Sequence, residues 1–378
     1  MTRRDLRRLC YNIRHIKGTR TLSIFTKMEK GDEDKPSHHV TKRSSIFSRA
    51  RFRNPWIAWK EPSLGDVISM LMSTFKSREN SFSPKLIDNL KPTLDELKKA
   101  FPLTPPDLKR IREPVPGKVQ ATWVGHSTVL VQVGGYNILT DPIFESSCSP
   151  IGRPKRIVDP ALVLDDLPHI DAVVISHGHY DHLCKKSVLA LHRKYADILF
   201  MVPLGQKEWF LNRGMKNVIE LDWWDTYEFE ELKFTFTPAQ HWSMRRAGWD
   251  RNRALWGSWL IESNGKSFWF AGDTGYSKEL FEMIAEKLNK PIHMAAIPIG
   301  AYEPRWFMAP QHVCPEEALM IHECIKSEIS IAIHHGTFPL TSEPLDEPSL
   351  RLKASLRDAG LDESVFQVVS HGSTVISK

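Results

Sequence analysis

The stretch "ISHGHYDHL", residues 175–183, limits what this chain can fold into more than any other part of the sequence. Three histidines and one aspartate fall within six positions there, directly after an apolar run: His177, His179, Asp181 and His182. Imidazole and carboxylate groups are the ligands that zinc binds at about 2.0–2.2 Å. One open catalytic zinc needs fewer ligands than this from a single loop, so the spacing predicts a site for two metals.

Three further residues of the same kind follow apolar strand-like runs elsewhere in the chain. His241 follows "FTFTPAQ", Asp273 follows "FWFAG" and His334 follows "ISIAI". Each alone is weak evidence, since a lone histidine is more often a hydrogen-bonded core residue. Strand ends on one edge of a sheet converge in space, which is where sites of α/β proteins are usually built. Together with the histidine-rich loop, the three residues therefore favour a shared metal centre.

The cysteine content and the apolar runs restrict where the protein works. Five cysteines occur among 378 residues without a C-x-x-C pair, which fits a reducing compartment better than a disulfide framework and argues against a cysteine-based zinc knuckle. No run approaches the roughly 18–20 apolar residues of a membrane-spanning helix. The N-terminus has no apolar core of a secretory signal. We therefore expect an intracellular protein.

The net charge is unevenly distributed. Residues 1–53 hold 15 Lys and Arg against 5 Asp and Glu, whereas the rest holds 36 basic and 40 acidic groups. The basic leader fits an arm for anionic lipid, a mitochondrial transit peptide as a minor alternative, or a solvated disordered segment. Because the body is slightly acidic, the charge gives no support to a nucleic-acid partner.

The chain divides into three parts by composition. We expect a basic, disordered leader over 1–49, a helical and connector segment packed on the body over 50–117, and a catalytic domain over 118–378. A helix over 64–75 presents one apolar face, formed by Leu64, Val67, Ile68, Leu71, Met72 and Phe75. This face either packs on the body, the interpretation we favour, or faces a membrane. In the catalytic domain, hairpins followed by alternating strands and helices predict helices outside two sheets.

The ligand order resembles that of the metallo-β-lactamase superfamily: His-x-His-x-Asp-His, a distant His, Gly-Asp-Thr-Gly and a late His. The resemblance implies an α/β fold, the αββα sandwich, and two Zn²⁺ per chain. It assigns the ligands of one metal to His177, His179 and His241, those of the other to Asp181, His182 and His334, and the bridging position to Asp273. We choose His334 over His335 because it follows its strand directly.

Longer blocks of sequence resemble one particular family within this superfamily. The blocks "GHSTVLVQ", "LTDPIF", "TPAQHWS" and "IPIGAYEPRWFM" are similar to those of N-acyl-phosphatidylethanolamine-hydrolysing phospholipases D, from about residue 50 onward. The sequence departs from that family at Gly178, where we expect Asn. The resemblance implies a zinc-dependent phosphodiesterase that releases N-acylethanolamine and phosphatidic acid through a metal-bridging hydroxide. It also implies a phospholipid substrate, a homodimer, and peripheral binding to the cytosolic face of membranes.

The block "APQHVCPEEA" places Gln311 and His312 at a helix start, and the resemblance puts this pair at the active site. We expect both to act in catalysis and substrate binding, with His312 as general acid or phosphate donor. The alternative is a histidine that bonds the backbone at the helix start. Asp181 is expected to act in catalysis as well as to bind metal, and Tyr180 to contact substrate.

Other chemistries fit the sequence less well. The motif His-x-Lys-x4-Asp of conventional phospholipases D begins at His15 and His192, but Leu replaces Asp in both. The main alternative keeps the metals and changes the substrate to a soluble small phosphodiester or a lactone. A nuclease of the same superfamily is disfavoured by the acidic body, and a non-catalytic lipid-binding protein by the intact set of ligands.

Overall fold

The computed structural model describes residues 26–29, 51–77, 99–246 and 249–378. Fifteen strands and eight helices lie in these ranges. The strands are β1 (Thr26–Glu29), β2 (Gln120–Gly125), β3 (Thr128–Val133), β4 (Tyr136–Thr140), β5 (Ala172–Val174), β6 (Leu199–Pro203), β7 (Val218–Leu221), β8 (Thr226–Phe229), β9 (Leu232–Thr237), β10 (Ser258–Ser263), β11 (Lys266–Phe270), β12 (Met294–Pro298), β13 (Ser330–Ile333), β14 (Phe366–Gln367) and β15 (Thr374–Ile376). The helices are α1 (Leu64–Ser77), α2 (Leu108–Arg112), α3 (Lys185–Lys194), α4 (Lys207–Leu211), α5 (Lys278–Leu288), α6 (Arg305–Met308), α7 (Pro315–Cys324) and α8 (Glu347–Asp358).

The strands form two mixed sheets. One has eight strands in the order β1-β8-β9-β10-β11-β12-β13-β14, and the other has seven in the order β15-β2-β3-β4-β5-β6-β7. In each sheet, antiparallel hairpins adjoin parallel strands, such as β11 with β12 and β4 with β5. Parallel neighbours need crossover connections, and helices supply several of them here. The loops that follow neighbouring parallel strands therefore lie at the same edge of the sheet.

Apolar side chains fill the space between the sheets and beneath the outer helices. Trp123 of one sheet and Trp259 of the other are both fully buried in the largest cluster. The indole of Trp259 also donates to the carbonyl of Ile175, 2.8 Å away, and so ties β10 to the end of β5. Val188 of α3 packs on the outside of the seven-stranded sheet, and Leu280 of α5 on the eight-stranded one. The predicted αββα sandwich is confirmed.

The segment before the catalytic domain is packed on it where the structure describes the chain. The backbone N–H of Phe52 donates to the carbonyl of Asn252 at 2.7 Å. Trp56 is buried and stacks on Trp223, with ring centroids 5.8 Å apart. Helix α1 differs, because Leu64 and Ile68 are 78% and 51% exposed. The side chains of Leu71, Met72 and Phe75 lie outside the described set.

The leader departs from the expectation of disorder at one place. Thr26–Glu29 form β1, which pairs antiparallel with Thr226–Phe229 of β8. The physical reason is that β8 would otherwise be an edge strand with unpaired backbone groups, which a passing segment can satisfy. The other residues of 1–49 lie outside the described ranges. Within those ranges, no helix combines the length and the apolar character needed to cross a membrane.

Candidate metal centre

Strand ends bring the predicted residues together. The loop after β5 carries His177, His179, Asp181 and His182, β9 precedes His241, β11 precedes Asp273 and β13 precedes His334. Gly272 lets the chain turn before Asp273, because it has a φ of +60° and a Cβ there would lie 2.6 Å from the Cβ of Ser176. The convergence expected from the sequence is therefore present in the fold.

The first cluster consists of three imidazoles. His177 Nε2 lies 2.8 Å from His179 Nδ1, and His241 Nε2 lies 3.2 Å from the same atom. Ligand atoms about 2.0–2.1 Å from a tetrahedral zinc lie about 3.3 Å from one another. The two separations lie within about half an ångström of that value, and the ligand atoms of all three residues lie within 4.8 Å of one another, which fits a shared metal ion.

The second cluster consists of one carboxylate and two imidazoles. His182 Nε2 lies 3.3 Å from Asp181 Oδ2 and 3.3 Å from His334 Nε2. The remaining edge of the triangle, from Asp181 Oδ2 to His334 Nε2, is 3.7 Å. These distances also fit the ligands of one tetrahedral ion. The neighbouring His335 instead stacks on Trp123, with ring centroids 4.9 Å apart, so it is His334 that faces the cluster.

Asp273 lies between the two clusters. Its Oδ2 is 3.9 Å from His177 Nε2, 3.8 Å from His241 Nε2 and 3.0 Å from His182 Nε2. Its Oδ1 is 3.2 Å from His334 Nε2. One carboxylate thus reaches ligand atoms of both triangles, which is the geometry expected of a bridging ligand.

Hydrogen bonds on the far side of each ring orient three of the histidines. The Nδ1 atoms of His177, His182 and His241 lie 2.9, 2.7 and 2.9 Å from Ser176 Oγ, Asp141 Oδ2 and the carbonyl of Gln311. An acceptor at Nδ1 keeps the proton on that atom and leaves Nε2 free to bind a metal. The tautomer of each ring is assigned from this network.

The electrostatics of the site favour a bound cation. Burial opposes ionisation of Asp273, but His182, His334 and His312 outweigh it and hold the pKa of this carboxyl well below its usual range. Burial lowers the pKa of His241 to about 3, so this imidazole is neutral and able to bind a metal through its lone pair. Burial also opposes charging of His334, yet Asp273 and Asp181 raise its pKa to about 9. Buried carboxylates thus attract positive charge to this position.

Gln311 and His312 adjoin the cluster in different ways. The carbonyl of Gln311 orients His241, and its side-chain Oε1 accepts from Trp242 Nε1 at 2.5 Å. The ring of His312 adjoins those of His241 and His334, at centroid distances of 5.2 and 5.4 Å. Arg305 donates to the carbonyl of His312 at 2.9 Å and so fixes its backbone.

Tyr180, for which substrate contact is predicted, makes two contacts within the protein. Its hydroxyl donates to the carbonyl of Arg245 at 2.5 Å, and the guanidinium of Arg245 stacks on its ring at 4.3 Å. The donor of this side chain is therefore engaged within the protein. Substrate contact by Tyr180 stays a prediction.

Sequence reasoning missed Asp141 and Ser176, which orient two of the candidate ligands, His182 and His177. Asp141 Oδ1 accepts from the backbone N–H of Ser176 at 2.7 Å, and Asp141 Oδ2 accepts from the Ser176 hydroxyl at 2.5 Å. The same carboxylate accepts from His182, so one buried aspartate sets two ligand side chains. The signal was available, because Asp141 directly follows β4 just as the ligands follow their strands.

Asn54 links the N-terminal segment to the first cluster, since its Nδ2 donates to the carbonyl of His241 at 2.7 Å. Asn54→Ala is expected to lower the free energy of unfolding by about 1 kcal/mol and to weaken metal binding at the three-histidine cluster. Urea unfolding and metal titration measure both. Asn217→Ala is the control, because Asn217 donates to the carbonyl of Asp197 away from the clusters. Equal metal affinity in both variants would contradict the link.

Comparison with known proteins agrees with the geometry. Residues 136–335 match the β-lactamase superfamily domain. A Caenorhabditis elegans protein named N-acyl-phosphatidylethanolamine-hydrolyzing phospholipase D 1 is 42% identical over 266 residues, which are 67% of this chain and 74% of the worm protein. The chain belongs to the N-acyl-phosphatidylethanolamine-hydrolysing phospholipase D family, within the β-lactamase superfamily. The prediction of a hydrolase with this fold is confirmed.

A second member of the phospholipase D family and one solved structure extend the comparison. The Saccharomyces cerevisiae member, named as mitochondrial, is 36% identical over 255 residues, which are 66% of this chain but 54% of the yeast protein. The metallo hydrolase Igni18 of Ignicoccus hospitalis matches the fold with a TM-score of 0.51 and 24% identity, over 69% of this chain and 99% of that one. His and Asp clusters able to bind metal therefore lie in a phospholipase D-family chain with a metallo-hydrolase fold.

Proposed function

We propose that the protein hydrolyses N-acyl-phosphatidylethanolamine to N-acylethanolamine and phosphatidic acid with two zinc ions, one at each cluster. The observation that carries the proposal is the pair of three-ligand clusters joined by Asp273, in a chain of this phospholipase D family. Two bound zinc ions would supply a water acidified to near neutral pKa and positive charge for the phosphate oxygens. The proposed ligands are the seven residues described above.

His312 is proposed to bind the phosphate. Burial lowers the pKa of this imidazole to about 3 despite the nearby Asp273, so the ring is neutral at physiological pH. A neutral imidazole donates one N–H, which favours a hydrogen bond to a non-bridging phosphate oxygen over delivery of a proton from an imidazolium. Gln311 is proposed to support catalysis through its backbone carbonyl, which orients His241, and its contact with substrate stays a prediction.

Water adds to phosphorus in the proposed reaction, and the bond from phosphorus to the ethanolamine oxygen breaks. Hydrolysis in ¹⁸O-water should place the label in phosphatidic acid and leave N-acylethanolamine unlabelled. Release of diacylglycerol would contradict this cleavage site. An intact lipid, with rapid cleavage of the soluble diester bis(p-nitrophenyl) phosphate, would favour the small-substrate alternative.

Access to a membrane-embedded lipid is proposed to involve α1, because Leu64 and Ile68 expose apolar surface there. Leu64→Asp with Ile68→Asp should weaken binding to phosphatidylcholine vesicles about tenfold or more, since buried apolar area is lost and charge is added. Co-sedimentation measures the binding, and activity in detergent micelles should change little. Leu211→Asp on α4 is the control, as Leu211 is 46% exposed. Equal effects of the two changes would contradict the assignment.

We also propose a homodimer bound peripherally at the cytosolic face of membranes, in line with the family resemblance. The basic leader and the mitochondrial name of the yeast relative support a mitochondrial address as the alternative. Light scattering of the purified chain tests the dimer. Fractionation of cells that express the full chain tests the location.

A further inference from the structure

His126 lies at the second cluster but outside the residues matched to the superfamily domain, which begin at 136. It occupies the tight turn between β2 and β3 and is almost completely buried. Its backbone is held on both sides: the N–H donates to Thr337 Oγ1 at 2.8 Å, and the carbonyl accepts from Trp123 Nε1 at 2.8 Å.

The turn is also tied directly to a proposed ligand. The backbone N–H of His334 donates to the carbonyl of His126 at 3.1 Å. Both residues have a φ in the left-handed region, +55° and +60°, which non-glycine residues adopt at a cost of about 1–3 kcal/mol where the surroundings impose it. Their rings lie 4.2 Å apart between centroids. Two strained turns from different parts of the chain thus face each other at the metal centre.

The side chain of His126 reaches another ligand. Its Nε2 lies 3.0 Å from Asp181 Oδ2, the oxygen that is also 3.3 Å from His182 Nε2. Because a carboxylate oxygen only accepts, Nε2 must carry the proton. Asp181, His182, His334 and the shared Asp273 would already give the second metal four protein ligands, and the water of the proposed reaction would take a further position. A role as a further ligand is therefore not needed to complete the site.

We propose that His126 is a positioning residue, whose Nε2–H donates to Asp181 and holds this carboxylate oxygen toward the second metal. Partners of this kind typically change metal affinity by about 10- to 100-fold. The effect is specific, since the hydrogen bond reaches the Asp181 cluster and none of the three histidines of the first cluster. The inference rests on the proposed metal centre.

The test compares His126→Leu, which removes the donor, with His126→Gln, which places an amide N–H near the same point. Stepwise zinc affinities are measured by competition with a chromophoric chelator on the full chain. His126→Leu should weaken one of the two zinc ions about 10- to 100-fold and leave the other unchanged, and His126→Gln should restore it to within a few-fold of wild type. If His126→Leu does not fold, His126→Asn, whose amide is too short to reach Asp181, replaces it with the same expectation.

His322→Gln is the control, because His322 is also buried and bonds Ser330 Oγ at 2.8 Å outside the clusters. It should leave both affinities unchanged. Wild-type affinities in His126→Leu, equal weakening of both ions, or failure of His126→Gln to restore binding would each overturn the positioning role. If wild type itself binds no zinc, the proposed function fails; if wild type binds two and only the His126 variants deviate from expectation, this inference alone fails.

Discussion

Asp273→Asn is expected to lower kcat by at least about three orders of magnitude and to prevent stable binding of two metals together. The physical reason is the position of the carboxylate, whose Oδ2 lies 3.0 Å from His182 Nε2 and 3.8 Å from His241 Nε2. Asparagine keeps the shape but removes the charge that both clusters share. Losing the charge stabilisation that the metals supply raises the activation free energy by several kcal/mol. Each 1.36 kcal/mol lowers the rate about tenfold.

The measurement pairs turnover in mixed micelles with metal content by mass spectrometry. Asp225→Asn is the matched control, because Asp225 is also buried and its Oδ2 accepts from the backbone N–H of Asp222 at 3.0 Å outside the clusters. The control should retain two metals and near wild-type turnover. Two tightly bound metals and ordinary turnover in Asp273→Asn would contradict the bridging role.

His312→Ala is expected to lower kcat about 10²- to 10³-fold while both metals remain bound. Removing one preorganised donor to a developing oxyanion typically has an effect of this size. Metal binding should survive, because His312 Nδ1 lies 3.9 Å from Asp273 Oδ2 and the six ligands other than Asp273 form their triangles without it. Steady-state kinetics and metal analysis of the same preparations measure the two effects.

The control for His312→Ala is His335→Gln. His335 is also buried, but it stacks on Trp123. This substitution should leave the metal content unchanged and reduce kcat far less. Loss of a metal from His312→Ala would instead identify His312 as a ligand, since it groups geometrically with His241 and Asp273. An unchanged kcat with both metals bound would leave His312 without a role in phosphate binding.

The meeting of the proposed ligands at one edge was predictable because their positions in the chain follow a simple rule. His241, Asp273 and His334 each follow an apolar strand, and parallel strands place such ends at one edge of a sheet. The sandwich fold was predictable from the alternation of strands and helices and from the family resemblance. Neither inference needed the direction of any side chain.

The orienting residues could not be predicted because their role depends on side-chain direction. His126 and Asn54 reach Asp181 and the carbonyl of His241 from segments distant in sequence, and no spacing rule connects them. The contact of Tyr180 depends on side-chain direction in the same way, since its hydroxyl donates to the carbonyl of Arg245. Strand β1 could not be predicted either, because it depends on pairing with β8, which is distant in sequence.

The measurement that tests the central claim most directly is zinc titration of metal-free protein with lipid turnover as the readout. The protein is stripped by a chelator and zinc is returned in steps, with hydrolysis of N-acyl-phosphatidylethanolamine measured at each step. The account predicts no turnover without metal and full recovery at two zinc ions per chain. Full turnover by the stripped protein, or an intact lipid after two zinc ions have bound, would contradict it.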